Sequence, residues 1–175
     1  PFLKIFGVLP GAVAYMLFYA KLSNKLDKES LFYAAIIPFL IFFALFPTVL
    51  FPYKEFLHLH GAGSFLRSFL PEGIAMQVSG AIENWTFSLF YIMAELWGSA
   101  VVSLLFWGFA NEITRSTEAK RFYTLFGIGG QSALILSGVF ITWAATIDLP
   151  KEIATQVSLN YMMTIVVLLG FVIMA

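Results

Sequence analysis

The sequence has no cysteine, two histidines and few charged residues. Without cysteine the chain forms no disulfide and no thiolate metal site. The ten basic and ten acidic side chains cancel, so the overall basic field that attracts nucleic acid is missing and nucleic acid is not an expected partner. Charged residues make up 11% of the chain, against about 25% in soluble domains. This shortage excludes an ordinary water-facing surface over the whole molecule.

Hydrophobic residues make up 60% of the chain and collect in five long apolar segments. The first four approach or exceed the roughly 20 residues that cross a bilayer as a helix. Because lipid offers the backbone no hydrogen-bond partners, helix is the expected state. We therefore predict an all-α, multi-pass transmembrane bundle, and we expect residues 1–175 to be part of one longer transmembrane domain. The segments are residues 1–20, 31–51, 85–110, 122–145 and 156–175.

Prolines and glycines predict local features of these segments. Pro10-Gly11 and Pro38 are expected to loosen the first two helices, and Pro47 is expected to mark the exit of the second. Residues 63–80, between the second and third segments, predict one short amphipathic helix at the membrane surface. Small residues on the fourth segment are expected to let helices approach closely. These are Gly127, Gly129, Gly130 and Gly138.

Basic residues are unevenly distributed among the connections, and this distribution predicts the orientation. The loops 21–30 and 111–121 each hold three basic residues, whereas 52–84 holds two and 146–155 holds one. Because basic loops stay on the cytoplasmic side, we place 21–30 and 111–121 in the cytoplasm. The first and third segments then both run from outside to inside.

Glu95 is the only charged side chain between residues 85 and 110. A carboxylate at the bilayer centre costs at least about 2.5–3.5 kcal/mol. Steps of three or four residues along a helix stay on one face, and most polar side chains of this segment share the face of Glu95. A polar stripe of this kind is expected to face a bundle interior or a wet cavity. Its other members are Asn84, Ser88, Tyr91, Ser99 and Ser103.

Three side chains in or near the apolar segments each allow two interpretations. Glu95 is either a structural residue bonded to a neighbouring helix or a substrate, ion or proton site. Lys4 lies early in the first segment, where it either reaches the outer interface with its long stem or points inward and attracts an anionic substrate. Gln131 either packs between helices or hydrogen-bonds a ligand.

Sequence motifs of enzymes and cofactor sites are missing. The chain has no nucleophile elbow, no Walker loop and no HExxH, so we expect a protein that is not an enzyme and needs no cofactor. His58 and His60 have no carboxylate or thiol at metal-binding spacing. They are expected to be solvent-exposed, and no metal site is predicted.

Several stretches resemble the ATP/ADP translocases, the nucleotide transporters of obligate intracellular bacteria and plastids. The most specific are "MAELWGS" followed by "FWGFAN", and "PFLKIFGVLPGAVAYMLFYAKLSNKL", "NWTFSLFYIMAELWGS" and "AKRFYTLFGIGG" extend the resemblance over nearly the whole chain. It implies a twelve-helix transporter related to the major facilitator fold, of which this chain would supply five helices, the second to the sixth. It also implies a location in a membrane, taken here as the bacterial inner membrane.

The resemblance implies exchange of ATP for ADP by alternating access, with nucleotide and lipid bilayer as partners. It assigns transport roles to Lys4 and Glu95. We expect Lys4 to attract phosphates, and Glu95 to pair with a basic residue that is released when phosphate arrives. Asn84, Tyr91 and Gln131 are candidates for base or ribose contacts. The alternatives are a proton-coupled nucleotide or NAD carrier, and a membrane protein in which Glu95 is only structural.

Two positions depart from the pattern of these transporters. Glu83 stands where arginine is common before the "NW" pair, and Gly129-Gly130-Gln131 stands where "GAN" is common. An acidic residue near a nucleotide path is expected to weaken phosphate attraction or to change the preferred nucleotide.

The cysteine-free chain allows a direct test of the predicted orientation. Single cysteines at Lys25 and Ser116 are expected to resist an impermeant thiol reagent applied to intact cells, because both positions lie in basic loops. A cysteine at Ala62 is expected to react readily. Labelling at Lys25 from outside would overturn the orientation.

Overall fold

The computed structural model describes residues 2–59, 61–68, 70–114, 118–146 and 151–174, and every regular element in these ranges is a helix. The α-helices are α1 (Leu9–Ser23), α2 (Lys28–Leu45), α3 (Lys54–Leu57), α4 (Ala62–Arg67), α5 (Glu72–Glu83), α6 (Trp85–Leu96), α7 (Ser103–Ile113), α8 (Ala119–Ala145) and α9 (Lys151–Met174). The π-helices are Lys4–Val8 before α1, Phe46–Leu50 after α2, and Trp97–Val102 between α6 and α7.

The all-α prediction is confirmed, and each predicted apolar segment is helical. Four stretches of the described chain are long and apolar enough to cross a membrane, and α6, a π-helix and α7 follow one another through the remaining segment. Helix α9 begins at Lys151, before the predicted start of the fifth segment at Gln156. The sequence-based start is later because the first turn of α9 is polar and does not belong to the apolar run. The four stretches are Lys4–Ser23, Lys28–Leu50, Arg121–Trp143 and Ile153–Met174.

Contacts between helices fix their relative directions. The side chain nearest to Gly7 is Ile92, and the side chain nearest to Gly11 is Leu96. The step from Gly7 to Gly11 and the step from Ile92 to Leu96 each cover about one turn in the chain direction. The first and third segments therefore run parallel. Parallel first and third segments agree with the orientation predicted from the basic loops.

Helices α2 and α9 run antiparallel, as alternating membrane crossings require. The Tyr33 hydroxyl donates to the carbonyl of Met174 (3.0 Å), and the Gln156 amide donates to the carbonyl of Pro47 (2.6 Å). The start of one helix therefore lies beside the end of the other. In an apolar environment these two bonds also satisfy polar groups that lipid cannot.

A short connection turns the chain from α1 to α2. The Asn24 amide donates to the Ala20 carbonyl (3.0 Å), and the Asp27 carboxylate accepts the backbone N–H of Ser30 (3.2 Å) as the N-cap of α2. Hydrogen bonds from the side chain and backbone of Ser30 lower the pKa of Asp27. The cap is therefore fully present at neutral pH and weakens only as pH falls toward that lowered pKa.

An aromatic cluster between the second and third segments forms part of the core. The Phe46 and Phe90 rings stack with centroids 4.2 Å apart, and Phe43 meets Trp97 edge-on at 5.9 Å. Phe39 also contacts Trp97. Aromatic pairs of this kind contribute about 0.5–1.5 kcal/mol each beyond their buried area. They hold the apolar face of the third segment inward, so that its polar stripe faces away from the core.

The π-helix Lys4–Val8 lies next to a proline. Pro10 lacks an N–H, and in an α-helix its ring crowds the carbonyl four residues earlier, that of Phe6. The wider π-helical turn relieves this contact, and the Leu9 N–H bonds to the Lys4 carbonyl instead. The loosening predicted at Pro10 is therefore found in the turn before it.

The second segment continues beyond Pro47. This proline lies inside the π-helix Phe46–Leu50, and the Phe51 N–H bonds to the Phe46 carbonyl at 2.8 Å. The prediction that Pro47 marks the helix exit is wrong, because a π-turn accommodates its ring as it does beside Pro10. Helix α2 also runs through Pro38 without interruption.

The connection between the second and third segments contains three short helices, α3 to α5, and not the single helix predicted for residues 63–80. Pro71 divides the predicted helix, because a proline lacks the N–H that a helix interior needs and is tolerated at a helix start. It is the N-cap of α5. A glycine with positive φ, Gly61 (93°), precedes α4.

Helix α8 is largely exposed, and its glycines make no close contact with the other helices that the structure describes. A Cβ at Gly127, Gly129, Gly130 or Gly138 would meet nothing within 4 Å in the described part of the chain. The close approaches occur at other glycines. Gly7 and Gly11 contact α6, and Gly170 contacts Leu40 of α2.

Enlarging Gly7 is expected to destabilise the protein. A Cβ at this position would lie 2.5 Å from Cδ1 of Ile92, so Gly7→Val overpacks the contact and lowers the free energy of unfolding by about 1–3 kcal/mol. Thermal unfolding in detergent measures the change. Gly127→Val is the matched control, because it carries the same propensity cost in open space, and Ile92→Ala should restore part of the stability. Equal losses at Gly7 and Gly127 would contradict close packing of α1 on α6.

Candidate ion-pair site

Lys4 and Glu95 form an ion pair between the first and third segments. The Lys4 Nζ lies 3.1 Å from the Glu95 Oε1. The parallel approach of the two helices brings the residues together, since Gly7 lies against Ile92. A helical side chain leans toward the N-terminus of its helix, which is the direction in which Glu95 meets Lys4. The lysine is thus paired with a carboxylate of another segment.

Two further groups bond to Glu95 from its own helical face. The Tyr91 hydroxyl, one turn earlier, donates to the same Oε1 at 3.1 Å. The Ser99 hydroxyl, one turn later, donates to the Glu95 backbone carbonyl at 2.5 Å. Both follow from the four-residue spacing that places neighbours on one face of a helix. Glu95 therefore has partners for its side chain and its carbonyl.

The ion pair is exposed on the surface of the described chain. The Lys4 side chain is 61% exposed and that of Glu95 is 35% exposed in the described chain. A pair with this exposure can be reached by another charged group without unfolding of the helices. Lys4 begins the π-helix Lys4–Val8, and the π-helix Trp97–Val102 begins two residues after Glu95. π-Helical turns occur frequently at functional sites.

Asn84 and Ser88 of the predicted stripe connect α5 to α6. The Asn84 side-chain amide donates to the Gly80 carbonyl (3.1 Å), and the Ser88 hydroxyl donates to the Ala81 carbonyl (2.9 Å). These bonds satisfy carbonyls at the end of α5. Asn84 therefore lies at the helix junction, two turns or more from Glu95.

Gln131 lies on exposed α8 and has no hydrogen bond to Lys4, Tyr91 or Glu95 in the part of the chain that the structure describes. Of the five residues that the sequence singles out, Lys4, Tyr91 and Glu95 thus form one cluster. Asn84 and Gln131 lie apart from it. Their proposed contacts with a base or ribose stay predictions.

Glu83 joins the end of α5 to the connection before it. Its Oε1 accepts the backbone N–H of Gly63 at the start of α4 (2.7 Å), and its carbonyl accepts the N–H of Leu59 (3.3 Å). The Glu83 carboxylate bonds to the start of α4, so the acidic residue at this position has a local structural role.

His58 packs against α6 and is not fully exposed as predicted. Its Nε2 lies 2.7 Å from the hydroxyl of Thr86, which is completely buried, and its ring meets Phe87 edge-on. The Trp85 indole donates to the Leu57 carbonyl beside it (2.8 Å). His60 lies outside the described residues. Among the described residues, no group of three metal-ligating side chains occurs.

The sequence pattern contained part of this arrangement. The four-residue steps from Tyr91 to Glu95 and on to Ser99 placed all three on one face. The pairing with Lys4 depends on the tertiary approach of α1 and α6, for which a single sequence has no local signal. Gly7, one turn from Lys4, is the small residue at which the first segment approaches the third.

Comparison with known proteins decides the family. The family model described as TLC ATP/ADP transporter matches residues 1–175, the whole chain. The chain belongs to the TLC ATP/ADP transporter family. The resemblance identified from the sequence motifs is thereby confirmed.

Relatives in bacteria and plastids show strong similarity. The chain is 49% identical to ADP,ATP carrier protein 1 of Chlamydia pneumoniae, and the match covers 100% of the chain and 34% of the relative. It is 52% identical to ADP,ATP carrier protein 1 of Chlamydia muridarum over 83% of the chain and 27% of the relative. It is 45% identical to the chloroplastic ADP,ATP carrier protein 1 of Arabidopsis thaliana over 99% of the chain and 28% of the relative.

The chain spans about a third of the length of these relatives, or somewhat less. No solved structure matches it.

Proposed function

We propose that the protein exchanges ATP for ADP across a membrane by alternating access, and that this chain supplies part of one transporter domain, the second to sixth of twelve helices. The observation that supports it most directly is the accessible Lys4–Glu95 ion pair on a membrane helix face. A paired intramembrane charge is a typical mark of a substrate pathway. We place the protein in a bacterial inner membrane, with residues 21–30 and 111–121 in the cytoplasm.

Exchange of ionic partners is the proposed binding event. In the structure Lys4 is bonded to the Glu95 carboxylate. A nucleotide phosphate carries more negative charge than one carboxylate and competes for the lysine ammonium. The lysine then leaves Glu95, and the first and third segments lose one of the bonds that connect them.

Loss of this bond gives nucleotide binding a means to change the helix arrangement. A ligand shifts a conformational equilibrium only through its different affinity for the two states. Nucleotide binds the state in which Lys4 is free, and the ion pair stabilises the state in which it is not. Glu95 acts in this scheme as the competitor of the nucleotide and not as its ligand.

Uptake measurements test the proposed function. Full-length protein in liposomes is expected to take up labelled ATP when the liposomes contain ADP, and to do so little without it. An imposed proton gradient should leave this exchange unchanged. Uptake that needs the gradient and not internal ADP would favour the proton-coupled carrier instead, and lack of any nucleotide uptake would contradict the proposal.

Removing the charge of Glu95 is expected to reduce exchange. Glu95→Gln keeps the size of the side chain but removes the charge that bonds to Lys4. The state with the ion pair is then less stable relative to the state in which Lys4 binds nucleotide. We expect insertion to be retained and exchange to fall at least about tenfold, the effect of a barrier change near 1.4 kcal/mol. Glu72→Gln, on the exposed outer helix α5, is the matched control. Wild-type exchange by the Glu95→Gln protein would mean that Glu95 is only structural.

Removing the Lys4 ammonium is expected to weaken binding in proportion to phosphate charge. Lys4→Ala should reduce competition by ADP and ATP for labelled ADP by more than about tenfold, because a lost charge-assisted contact has that size. Adenosine, if it binds, should be nearly unaffected. Lys25→Ala, which removes a lysine from the loop 21–30, is the control. An unchanged preference for triphosphate over monophosphate would exclude Lys4 from the phosphate site.

A further inference from the structure

We infer that Tyr91 is a positioning residue for Glu95, and that it keeps the carboxylate bonded when Lys4 leaves. This inference rests on the proposed exchange of ionic partners. It differs from the sequence-based expectation that Tyr91 contacts the base or ribose of a nucleotide.

The geometry around Oε1 carries the inference. This single oxygen accepts both the Lys4 ammonium and the Tyr91 hydroxyl, each at 3.1 Å. Tyr91 is half-buried and lies one turn before Glu95 on the same helix, so its hydroxyl moves with the carboxylate. Lys4 lies on another segment and is free to separate from both. Tyr91 has one O–H group, and this group donates to the Glu95 carboxylate.

A second bond on this oxygen lowers the cost of separating the pair. A carboxylate left without partners in a membrane is unfavourable, and breaking an ion pair costs most when one charge is left uncompensated. With the Tyr91 hydroxyl in place, Glu95 keeps one hydrogen bond after the lysine moves to a phosphate. Ser99 cannot take this role, because its hydroxyl bonds to the backbone carbonyl and not to the carboxylate.

Equilibrium binding of labelled ADP to the purified full-length protein tests this role. Tyr91→Phe removes only the hydroxyl, so separation of Lys4 from Glu95 leaves a bare carboxylate. ADP affinity is expected to fall several-fold, with about tenfold, the size of one hydrogen bond to a charged group, as the upper limit, because the hydroxyl also bonds to Glu95 while Lys4 is paired. Preference for adenine over guanine nucleotides should not change. Tyr33→Phe is the matched control, since its hydroxyl donates to the Met174 carbonyl, away from the pair.

The decisive comparison uses the Glu95→Gln background. If Tyr91 acts through the carboxylate, Tyr91→Phe should have little further effect on ADP affinity once Glu95 is replaced. An equal loss of affinity in both backgrounds, or a changed base preference, would mean that Tyr91 contacts the nucleotide and would overturn the inference. Wild-type affinity in the Tyr91→Phe protein would overturn it too.

The remaining outcomes are also informative. Should the phenylalanine variant fail to insert, Tyr91→Leu also lacks a donor and carries the same comparison. If the parent protein binds and exchanges no ATP or ADP, the proposed function itself fails. If the parent exchanges normally and only the tyrosine variants behave otherwise than expected, the failure is confined to the role of Tyr91.

Discussion

A charged side chain inside a membrane helix needs a partner, and this requirement organises the described helices around Lys4 and Glu95. The pair is neutral as a unit, so each segment can lie in lipid at a lower cost than its charge alone would set. The parallel direction of α1 and α6 and the absence of a side chain at Gly7 bring the two residues within 3.1 Å. Tyr91 and Ser99, on the same segment as Glu95, donate hydrogen bonds to its carboxylate and its backbone carbonyl.

The third segment combines this polar site with an aromatic face on its opposite side. Phe90 and Trp97 pack into the aromatic cluster of α2, where rings interdigitate and movement of one requires movement of others. Glu95 lies between these two residues in sequence but on the other side of the helix. The segment thus has an exposed ion pair on one side and packs its aromatic side chains against the second segment on the other.

The sequence alone predicted the elements formed by local patterns. Apolar length identified the helical segments, and four-residue steps placed Tyr91 and Glu95 on one face. The features that depend on three-dimensional contacts were not predictable in this way. Glycines look alike in a sequence, yet Gly7 lies against another helix and Gly127 does not. Pro47 was predicted to end a helix, because the local sequence pattern does not show that the backbone widens into a π-turn there.

The long separation of Lys4 and Glu95 in sequence has a consequence for biosynthesis. Chains are made from the N-terminus, so the first segment enters the membrane while the third has not yet been translated. During this interval the Glu95 carboxylate does not yet exist, so the ion pair with Lys4 can form only after the third segment has been made. The pair therefore joins two crossings of the chain that are separated by the whole of the second, and its formation belongs to the assembly of the helices and not to the insertion of the first.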